Sequence, residues 1–324
     1  MSDEMNSDME GFGGSDSIHI GNAPCSWGTL EFDEIEGPQI GYEQMLDELV
    51  GTGYVGTELG DWAFMPTDPE RLRSEMSARG LTMLGAFVPV AFARADALPA
   101  GEKHALEVAR LLADVSDVGD PNHEPFIILA DDNGSDRLRT ENAGRVTPDM
   151  MLDGAGWTTF AAGVERIART VREQTGLPAA FHPHCAGYVE TPEEIAALMD
   201  RTDPELVGLV FDTGHYAFGS GSCEGVSDAL LRFADRIRHV HYKDCDGELA
   251  SRSRAEHWDY FTSLKHGIFC ELGKGCVDFR SVTIRLRQTG YRGWIVVEQD
   301  VLPGMGEPRE SAARNRRHLQ DIGL

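Results

Sequence analysis

One pattern repeats along the 324 residues of this chain: a short apolar segment, then a longer stretch of helical character. Strands that alternate with helices pair in parallel and are joined by right-handed crossovers. Eight such units favour an α/β fold closed into a (β/α)8 TIM barrel over an open sheet. The predicted strands cover 18–23, 54–59, 82–90, 126–130, 179–184, 207–212, 237–242 and 294–298. The helices predicted between them cover 42–50, 68–79, 104–115, 158–175, 192–200 and 227–233.

The barrel is predicted to occupy residues 18–324 as a single domain. Residues 1–17 are acidic and rich in Gly and Ser, with neither the basic start nor the apolar core of a signal peptide, so we predict a disordered leader. No dinucleotide-binding glycine fingerprint and no P-loop follows the first strand. Residues 246–276 are predicted to form a long loop on the catalytic face, as a lid or substrate wall, or else a subunit contact.

The composition limits the partners of the chain. Its net charge of −25, from 54 acidic and 29 basic residues, repels nucleic acid and anionic membranes, so neither is expected to bind. No apolar run reaches the roughly 18 residues that span a bilayer. A cytoplasmic protein is expected, and a homo-oligomer is left open. The six cysteines form no CxxC pair and are predicted to be reduced thiols.

Side chains that bind metals collect at the ends of four predicted strands. The fifth strand ends in FHPH, the sixth in FDTGH, the seventh in HVHYKD and the eighth in VEQD. The carboxyl ends of barrel strands form one rim, where barrel active sites are built. A single histidine is more often structural, but five of the eleven histidines lie on three consecutive strands. The mixture of imidazole and carboxylate groups suits one divalent ion such as Mn²⁺, Co²⁺, Zn²⁺ or Fe²⁺.

At these residues the chain resembles a known family. It is similar to the xylose isomerase-like barrels, a family of sugar (phosphate) isomerases and epimerases, and within it to the inosose (2-keto-myo-inositol) dehydratase-like branch. The resemblance runs in order over nearly the whole chain after residue 17. The matching stretches are APCSWG at 23–28, GYVGTELG at 53–60, ETP at 190–192, FDTGH at 211–215, HVHYKD at 239–244, LGKG at 272–275, VDF at 277–279 and the run 290–300.

The resemblance implies metal ligands at the ends of strands five to eight. Asp212, His241 and Glu298 match the family pattern directly, and His182 stands where many relatives have a glutamate. Epimerases of the family resemble two-base enzymes in which both ligand glutamates exchange protons with the substrate. His182 therefore favours a dehydratase over an epimerase. Mn²⁺ or Co²⁺ is the favoured ion.

The catalytic residues are predicted from their chemistry and their place on the rim. A base is needed to remove the proton beside a ketone, and His184 or Glu298 is the candidate. An acid is needed for a departing hydroxyl, and a histidine can supply it. His215 is counted among the catalytic candidates with His184. Lys243 and Glu58 are further candidates for orienting or protonating hydroxyls. Each has a structural alternative: an ion pair with Asp244 for Lys243, and a rim salt bridge for Glu58.

Substrate contacts are expected from the same rim. Trp27, after the first strand, could stack on a ring or instead cap the barrel. His184 and Glu58 are expected to touch the substrate, and His215 matches a position that does so in relatives. One cavity should be surrounded by Glu58, His182, Asp212, His241 and Glu298. Gly56 and Val297 should point away from that cavity.

The predicted activity is metal-dependent loss of water from a keto-sugar or keto-cyclitol through an enediolate, catalysed by an inosose dehydratase-like lyase. One alternative is isomerisation or epimerisation of a free or phosphorylated ketose, for which Lys274 could contact a phosphate. A second is cleavage of C-glycosides of 3-keto sugars. A DNA-repair nuclease is disfavoured by the net charge, and a non-catalytic sugar-binding barrel by the complete set of ligand residues.

Overall fold

A computed structural model describes residues 18–28, 40–116, 124–302 and 304–324, so the predicted leader lies outside the described residues. The strands are β1 Ile18–Asn22, β2 Gly56–Thr57, β3 Thr82–Met83, β4 Gly85–Val90, β5 Phe126–Asp131, β6 Ala179–Phe181, β7 Val207–Asp212, β8 Ile237–Tyr242, β9 Asp244–Cys245, β10 Phe269–Cys270 and β11 Gly293–Val297. The helices are α1 Tyr42–Gly51, α2 Pro69–Arg79, α3 Leu98–Val115, α4 Arg137–Glu141, α5 Gly154–Thr175, α6 Pro192–Arg201, α7 Thr213–Ser220, α8 Val226–Arg232, α9 Gly247–Glu256, α10 Tyr260–Lys265, α11 Phe279–Gln288 and α12 Pro308–Asp321. Every predicted strand segment contains an observed strand, and every predicted helix overlaps an observed helix.

Seven strands form a parallel sheet in the order β1-β11-β8-β7-β6-β5-β4. The short strand β2 fills the gap between its two edges. The N–H of Val55, directly before β2, donates to the carbonyl of Ile20 in β1 at 3.2 Å, and the N–H of Leu59 donates to the carbonyl of Gly85 in β4 at 2.8 Å. The sheet is thereby closed, and the predicted TIM barrel is confirmed.

Alternate residues of each strand face the inside and the outside of the barrel, because side chains change face at every residue. Ile128, Ala180 and Val210 pack on one another inside. Leu129 and Phe181 belong to the larger core between strands and helices. Among the described residues, no helix has both the length and the apolar character needed to cross a membrane.

Gly56 and Val297 were both predicted to point away from the cavity, and this holds for Val297 but not for Gly56. Val297 lies in the outer core, as expected. The prediction for Gly56 was wrong, because this residue is two before Glu58 and shares its inward face. A Cβ atom on Gly56 would lie 2.8 Å from the ring of Trp294 inside the barrel. The missing side chain leaves room for that ring beneath the rim.

Helix starts show how local sequence defines the elements around the barrel. Helix α6 begins with a capping box: the Thr191 hydroxyl accepts from the N–H of Glu194, and the Glu194 carboxylate accepts from the N–H of Thr191. Pro192 occupies the first turn, where its missing N–H costs nothing. Asp68 and Asp153 cap α2 and α5 with one carboxylate each, which accepts from a backbone N–H in the first turn without the reciprocal contact of a capping box.

The segment 246–276 was predicted as a loop, and this was wrong, since it folds into α9, α10 and β10. Strand β10 pairs antiparallel with β9. The carboxylates of Asp246 and Asp259 cap the two helices. Helix α9 buries only Ala250 and Ser253. It therefore has no apolar stripe by which it could be recognised, and only its cap marks it in the sequence.

The prediction of reduced thiols was wrong for one pair of cysteines. Cys223 and Cys276 form a disulfide across 53 residues of sequence. The fold brings the connection between α7 and α8 against the segment that precedes α11, which spacing along the chain could not reveal. The remaining cysteines are free thiols: Cys25, Cys185, Cys245 and Cys270.

Candidate active site

Four residues at the ends of neighbouring strands converge at the rim of the barrel. We call His182, Asp212, His241 and Glu298 the rim cluster. One ligand atom from each lies within 4.8 Å of the ligand atoms of the others. The two histidines and Asp212 are buried, and Glu298 is nearly so. The structure thus brings together all four residues predicted to bind a metal.

The two carboxylate oxygens of Asp212 make different contacts. Oδ1 accepts a 2.7 Å hydrogen bond from the N–H of His215 and caps helix α7, which begins directly after β7. Oδ2 faces the rim cluster, 3.6 Å from Nε2 of His182 and 3.7 Å from Nδ1 of His241. The helix cap therefore fixes which oxygen is presented to the cluster.

The rim cluster suits a divalent ion because its inward-facing atoms are poorly matched to one another. Oδ2 of Asp212 and Nδ1 of His241 are buried without a hydrogen-bond partner among the described residues. Such atoms cost about 1–3 kcal/mol each when left unpaired, so they usually have a partner or a function. Two imidazoles and two carboxylates form a donor set for a borderline ion such as Mn²⁺, Co²⁺, Zn²⁺ or Fe²⁺.

A second cluster lies deeper in the barrel and shares the ring of His241. We call Glu58, His239 and His241 the inner cluster. Oε1 of Glu58 is 2.9 Å from Nε2 of His239 and 2.9 Å from Nε2 of His241. Burial alone would raise the pKa of Glu58, but the charges and hydrogen bonds of His241 and His239 outweigh it and hold that pKa below its usual range. The rim salt bridge considered for Glu58 is thus a contact with two histidines.

Lys243 lies fully buried between two carboxylates. Its Nζ is 3.0 Å from Oε2 of Glu298 and 3.4 Å from Oδ1 of Asp300. Burial lowers the pKa of Lys243, but Asp300 and Glu298 outweigh burial and raise it well above the usual value, so the side chain is an ammonium. The alternative of an ion pair with Asp244 was wrong. Asp244 instead accepts four backbone N–H bonds, including those of Gly273 and Gly275.

His184 and His215 are in ring contact, with centroids 4.0 Å apart and ring planes tilted by 40°. Nδ1 of His184 is 2.9 Å from the carbonyl of Cys185 and so donates its proton there. Nε2 is left without a proton and faces the hydroxyl of Tyr260 at 3.5 Å. Burial, His182 and Lys243 lower the pKa of His184, which keeps the ring neutral.

An open pocket leads to the rim cluster, and His184, Lys243 and Glu58 line it as predicted. His215 is not in its wall. The ring lies behind His184, where Nδ1 accepts the N–H of Cys185 at 3.2 Å and Nε2 is 3.4 Å from Nζ of Lys243. The predicted direct contact of His215 with substrate is therefore replaced by support of two residues that do line the pocket.

Trp27 is also outside the pocket wall, and the stacking role predicted for it was wrong. Its ring is 2% exposed, and its Nε1–H donates to the Glu48 carboxylate of α1 at 2.9 Å. The residue belongs to the 3-10 turn Pro24–Trp27, which directs the ring towards the helix layer. The alternative, that Trp27 caps the barrel, describes this packing better.

Several pocket residues were not predicted: Phe87, Asp300 and Tyr260. Asp300 could have been found, because it is two residues after Glu298 and continues the same face. Phe87 lies on a predicted strand but is apolar, so its ring contacts with His182 and His184 gave no sequence signal. Tyr260 comes from α10 in the segment 246–276, which was predicted as a lid or substrate wall, but Tyr260 itself was not singled out as a pocket residue.

Comparison with known proteins adds sequence evidence to this geometry. Residues 46–322 match the family model described as a xylose isomerase-like TIM barrel. The chain is 31% identical over 307 residues to an inosose dehydratase of Lacticaseibacillus casei, with 94% of this chain and 96% of the relative covered. Identity of this extent makes the chain an enzyme of the dehydratase or epimerase type.

Solved structures share the fold at lower identity. A 3-keto-D-glucoside 4-epimerase from E. coli matches with a TM-score of 0.65 at 16% identity, covering 94% of this chain and 99% of the other. A probable 3-DHS dehydratase from Bacillus anthracis matches with a TM-score of 0.65 at 11% identity, with the same coverage. The closed barrel, the strand-end residues and the family match agree, and the chain belongs to the xylose isomerase-like TIM barrel family.

Proposed function

We propose that this protein is a divalent-metal-dependent lyase that removes water from a keto-cyclitol of the inosose type. The observation that carries the proposal is an acid and a base lining one pocket beside the rim cluster. Nε2 of His184 has a lone pair, and Nζ of Lys243 has protons to give. The similarity to inosose dehydratases over nearly the full length supports the choice of substrate.

One divalent ion would be held by His182, Asp212, His241 and Glu298, with Mn²⁺ or Co²⁺ favoured. Bound there, the ion would supply positive charge that polarises a ketone and stabilises the negative charge that develops as the neighbouring C–H bond breaks. The remaining work belongs to the side chains of the protein.

His184 is the proposed base. Its Nδ1–H is held by the carbonyl of Cys185, so Nε2 receives the proton from the carbon next to the ketone. The lowered pKa keeps this nitrogen unprotonated near neutral pH. The second candidate, Glu298, is less suited because its oxygens already contact His241 and Lys243.

Lys243 is the proposed acid. As the C–O bond on the next carbon breaks, Nζ gives a proton to the departing hydroxide, which leaves as water. The electron pair of the C–H bond becomes the new C=C bond, and the resulting enol rearranges to a diketone. The step involves no net oxidation, and the proton gained by His184 balances the one lost by Lys243. His215, at 3.4 Å from Nζ, is proposed to help position this group.

The charges around the pocket favour an uncharged substrate over a phosphorylated one. Among the described residues that line the pocket, Lys243 is the one Lys or Arg, and two carboxylates already contact it. Glu58 and Asp61 add further negative charge to the wall. Lys274, considered as a phosphate contact, is instead exposed and paired with Glu271 at 2.7 Å.

The test is incubation of purified protein with 2-keto-myo-inositol and Mn²⁺ or Co²⁺. We expect an absorbing diketone or enone product, and deuterium from solvent in the substrate or product. Lys243→Met should slow product formation by about 100-fold, as expected for loss of general acid catalysis. Lys274→Met removes an exposed lysine and should leave the rate unchanged.

Two results would count against this proposal. Efficient interconversion of ketose epimers, with every keto-cyclitol left untouched, would replace the dehydratase with the epimerase alternative. Full activity of a wild-type protein found metal-free by elemental analysis would refute the role of the rim cluster.

A further inference from the structure

His241 has its two ring nitrogens in different clusters. Nε2 contacts Glu58 in the inner cluster, and Nδ1 faces Glu298 at 3.2 Å and Asp212 in the rim cluster. We propose that Glu58, assisted by His239, is a positioning residue that holds the proton of His241 on Nε2 and thereby presents Nδ1 to the ion. This inference rests on the proposed metal site and adds to it a residue that does not itself bind the ion.

The hydrogen-bond chemistry of Glu58 leads to this assignment. Two imidazole nitrogens lie 2.9 Å from the same oxygen, Oε1. An ionised carboxylate can only accept hydrogen bonds, so both nitrogens must be donors. A neutral imidazole has one N–H, and placing it on Nε2 of His241 leaves the lone pair on Nδ1. A carboxylate that orients a metal-binding histidine in this way also increases the basicity of the ligand nitrogen.

The other neutral form of the ring fits the inner cluster poorly, although Nδ1 of His241 also lies 3.2 Å from Oε1 of Glu298. A proton on Nδ1 of His241 would point into the rim cluster and prevent that nitrogen from binding an ion. Nε2 would then be a second acceptor facing the acceptor Oε1 at 2.9 Å, which is repulsive unless Glu58 is protonated. A protonated Glu58 could donate to one of its two histidines, not to both.

The surroundings of Glu58 hold this oxygen in place. Glu58 is 4% exposed and follows β2, where the Thr57 hydroxyl donates to the carbonyl of Asn22 at 2.8 Å. His239 packs against the ring of Phe126, with centroids 5.5 Å apart. The contact of His239 with Oε1 restrains the Glu58 carboxylate from a second direction. A metal-binding side chain whose hydrogen-bond partners are themselves packed in place is held in its binding geometry more accurately than one without such partners.

The protonation of His241 can be measured directly. In protein labelled with ¹⁵N-histidine and loaded with Zn²⁺, a diamagnetic probe, long-range ¹H–¹⁵N spectra distinguish Nδ1 from Nε2 as the metal-bound atom. We expect His241 to bind through Nδ1 with its proton on Nε2. Binding through Nε2, or a proton on Nδ1, would overturn the inference whether or not the protein turns over a keto-cyclitol.

Variants of Glu58 supply the second readout. Glu58→Ala should weaken Zn²⁺ and Mn²⁺ binding by about 10- to 100-fold in titration calorimetry, the usual range for loss of such a partner. Glu58→Gln keeps an accepting oxygen without the charge, so its loss of affinity should be smaller. The matched control is Glu271→Ala, which removes another buried glutamate that contacts Arg314 and Ser311 instead.

The outcomes separate this inference from the proposed function. Unchanged ion affinity in folded Glu58→Ala, checked by thermal unfolding, would refute the positioning role while leaving the dehydratase proposal intact. Weakened affinity in Glu58→Ala but not in Glu271→Ala would support it, even if the enzyme proves to be an epimerase.

Discussion

The rim cluster and the inner cluster contain the same kinds of side chain and even share His241, but their polar atoms are matched to different degrees. In the inner cluster, Glu58 receives two contacts of 2.9 Å. In the rim cluster, Oδ2 of Asp212 is 3.6 Å or more from each neighbouring imidazole nitrogen and has no hydrogen bond among the described residues.

The difference teaches that histidine and carboxylate do not by themselves define a metal site. Where a donor faces an acceptor at 2.9 Å, the pair satisfies itself and the contact is structural. Where carboxylates and imidazoles lie further apart and an oxygen such as Oδ2 of Asp212 has no hydrogen bond within the described residues, a cation lowers the energy of the whole group. The inner cluster is not perfectly satisfied, since Nδ1 of His239 has no hydrogen-bond partner within the part of the chain that the structure describes. That atom is not part of the four-residue rim cluster.

His241→Ala should have the largest effect, because it damages both clusters. We expect loss of the bound ion and of measurable turnover. The metal-free protein should also lose about 1–3 kcal/mol of unfolding free energy, since Glu58 keeps its charge with one partner fewer. Elemental analysis, turnover and urea unfolding measure the three effects. A variant that keeps its ion would show that ion binding in the rim cluster does not depend on His241.

Asp212→Asn should distinguish the roles of the two clusters, because it changes the rim cluster alone. Asparagine also caps helices well, so α7 should remain. Turnover should fall by at least about 100-fold, as expected for loss of electrostatic stabilisation in an active site. Without added metal, the variant should unfold at a lower urea concentration than the wild type. Burial raises the pKa of Asp212, but the neighbouring histidines and Lys243 outweigh burial and lower it, so the fold favours the charged carboxylate at neutral pH. Wild-type turnover in the folded variant would show that Asp212 does not act in the rim cluster.

Acid should weaken ion binding, and this is expected to be the smallest of the three effects. Burial lowers the pKa of His241, but Glu298 and Glu58 outweigh it and raise that pKa well above its usual value. Below the raised pKa the metal-free ring holds a proton on Nδ1 that the ion must displace. Affinity should therefore rise with pH until that pKa is passed and then level off.

The released proton can be counted at pH 7. Titration calorimetry in two buffers that differ in ionisation enthalpy should detect it on ion binding. Binding without proton release at this pH would show that His241 is already neutral in the metal-free protein.

The strands and the rim residues were predictable from the sequence because their signals are local. Apolar segments mark the barrel strands, and a residue at the carboxyl end of such a strand reaches the rim whatever the details of packing. The strand ends grouped the candidate ligands without knowledge of any distance between them, and the resemblance to the family selected four of them: His182, Asp212, His241 and Glu298. Their role in binding metal remains a proposal.

The tertiary structure decided which atoms meet. Glu58 and His241 are 183 residues apart in the chain, and nothing near either residue encodes their contact. The same holds for the disulfide between Cys223 and Cys276 and for Tyr260 over the rim. Trp27 turned towards Glu48 because a helix offered its ring a core position and a hydrogen bond. Local sequence determines which backbone forms and where its end lies, whereas the partner of a buried polar atom depends on the packing of segments distant in sequence.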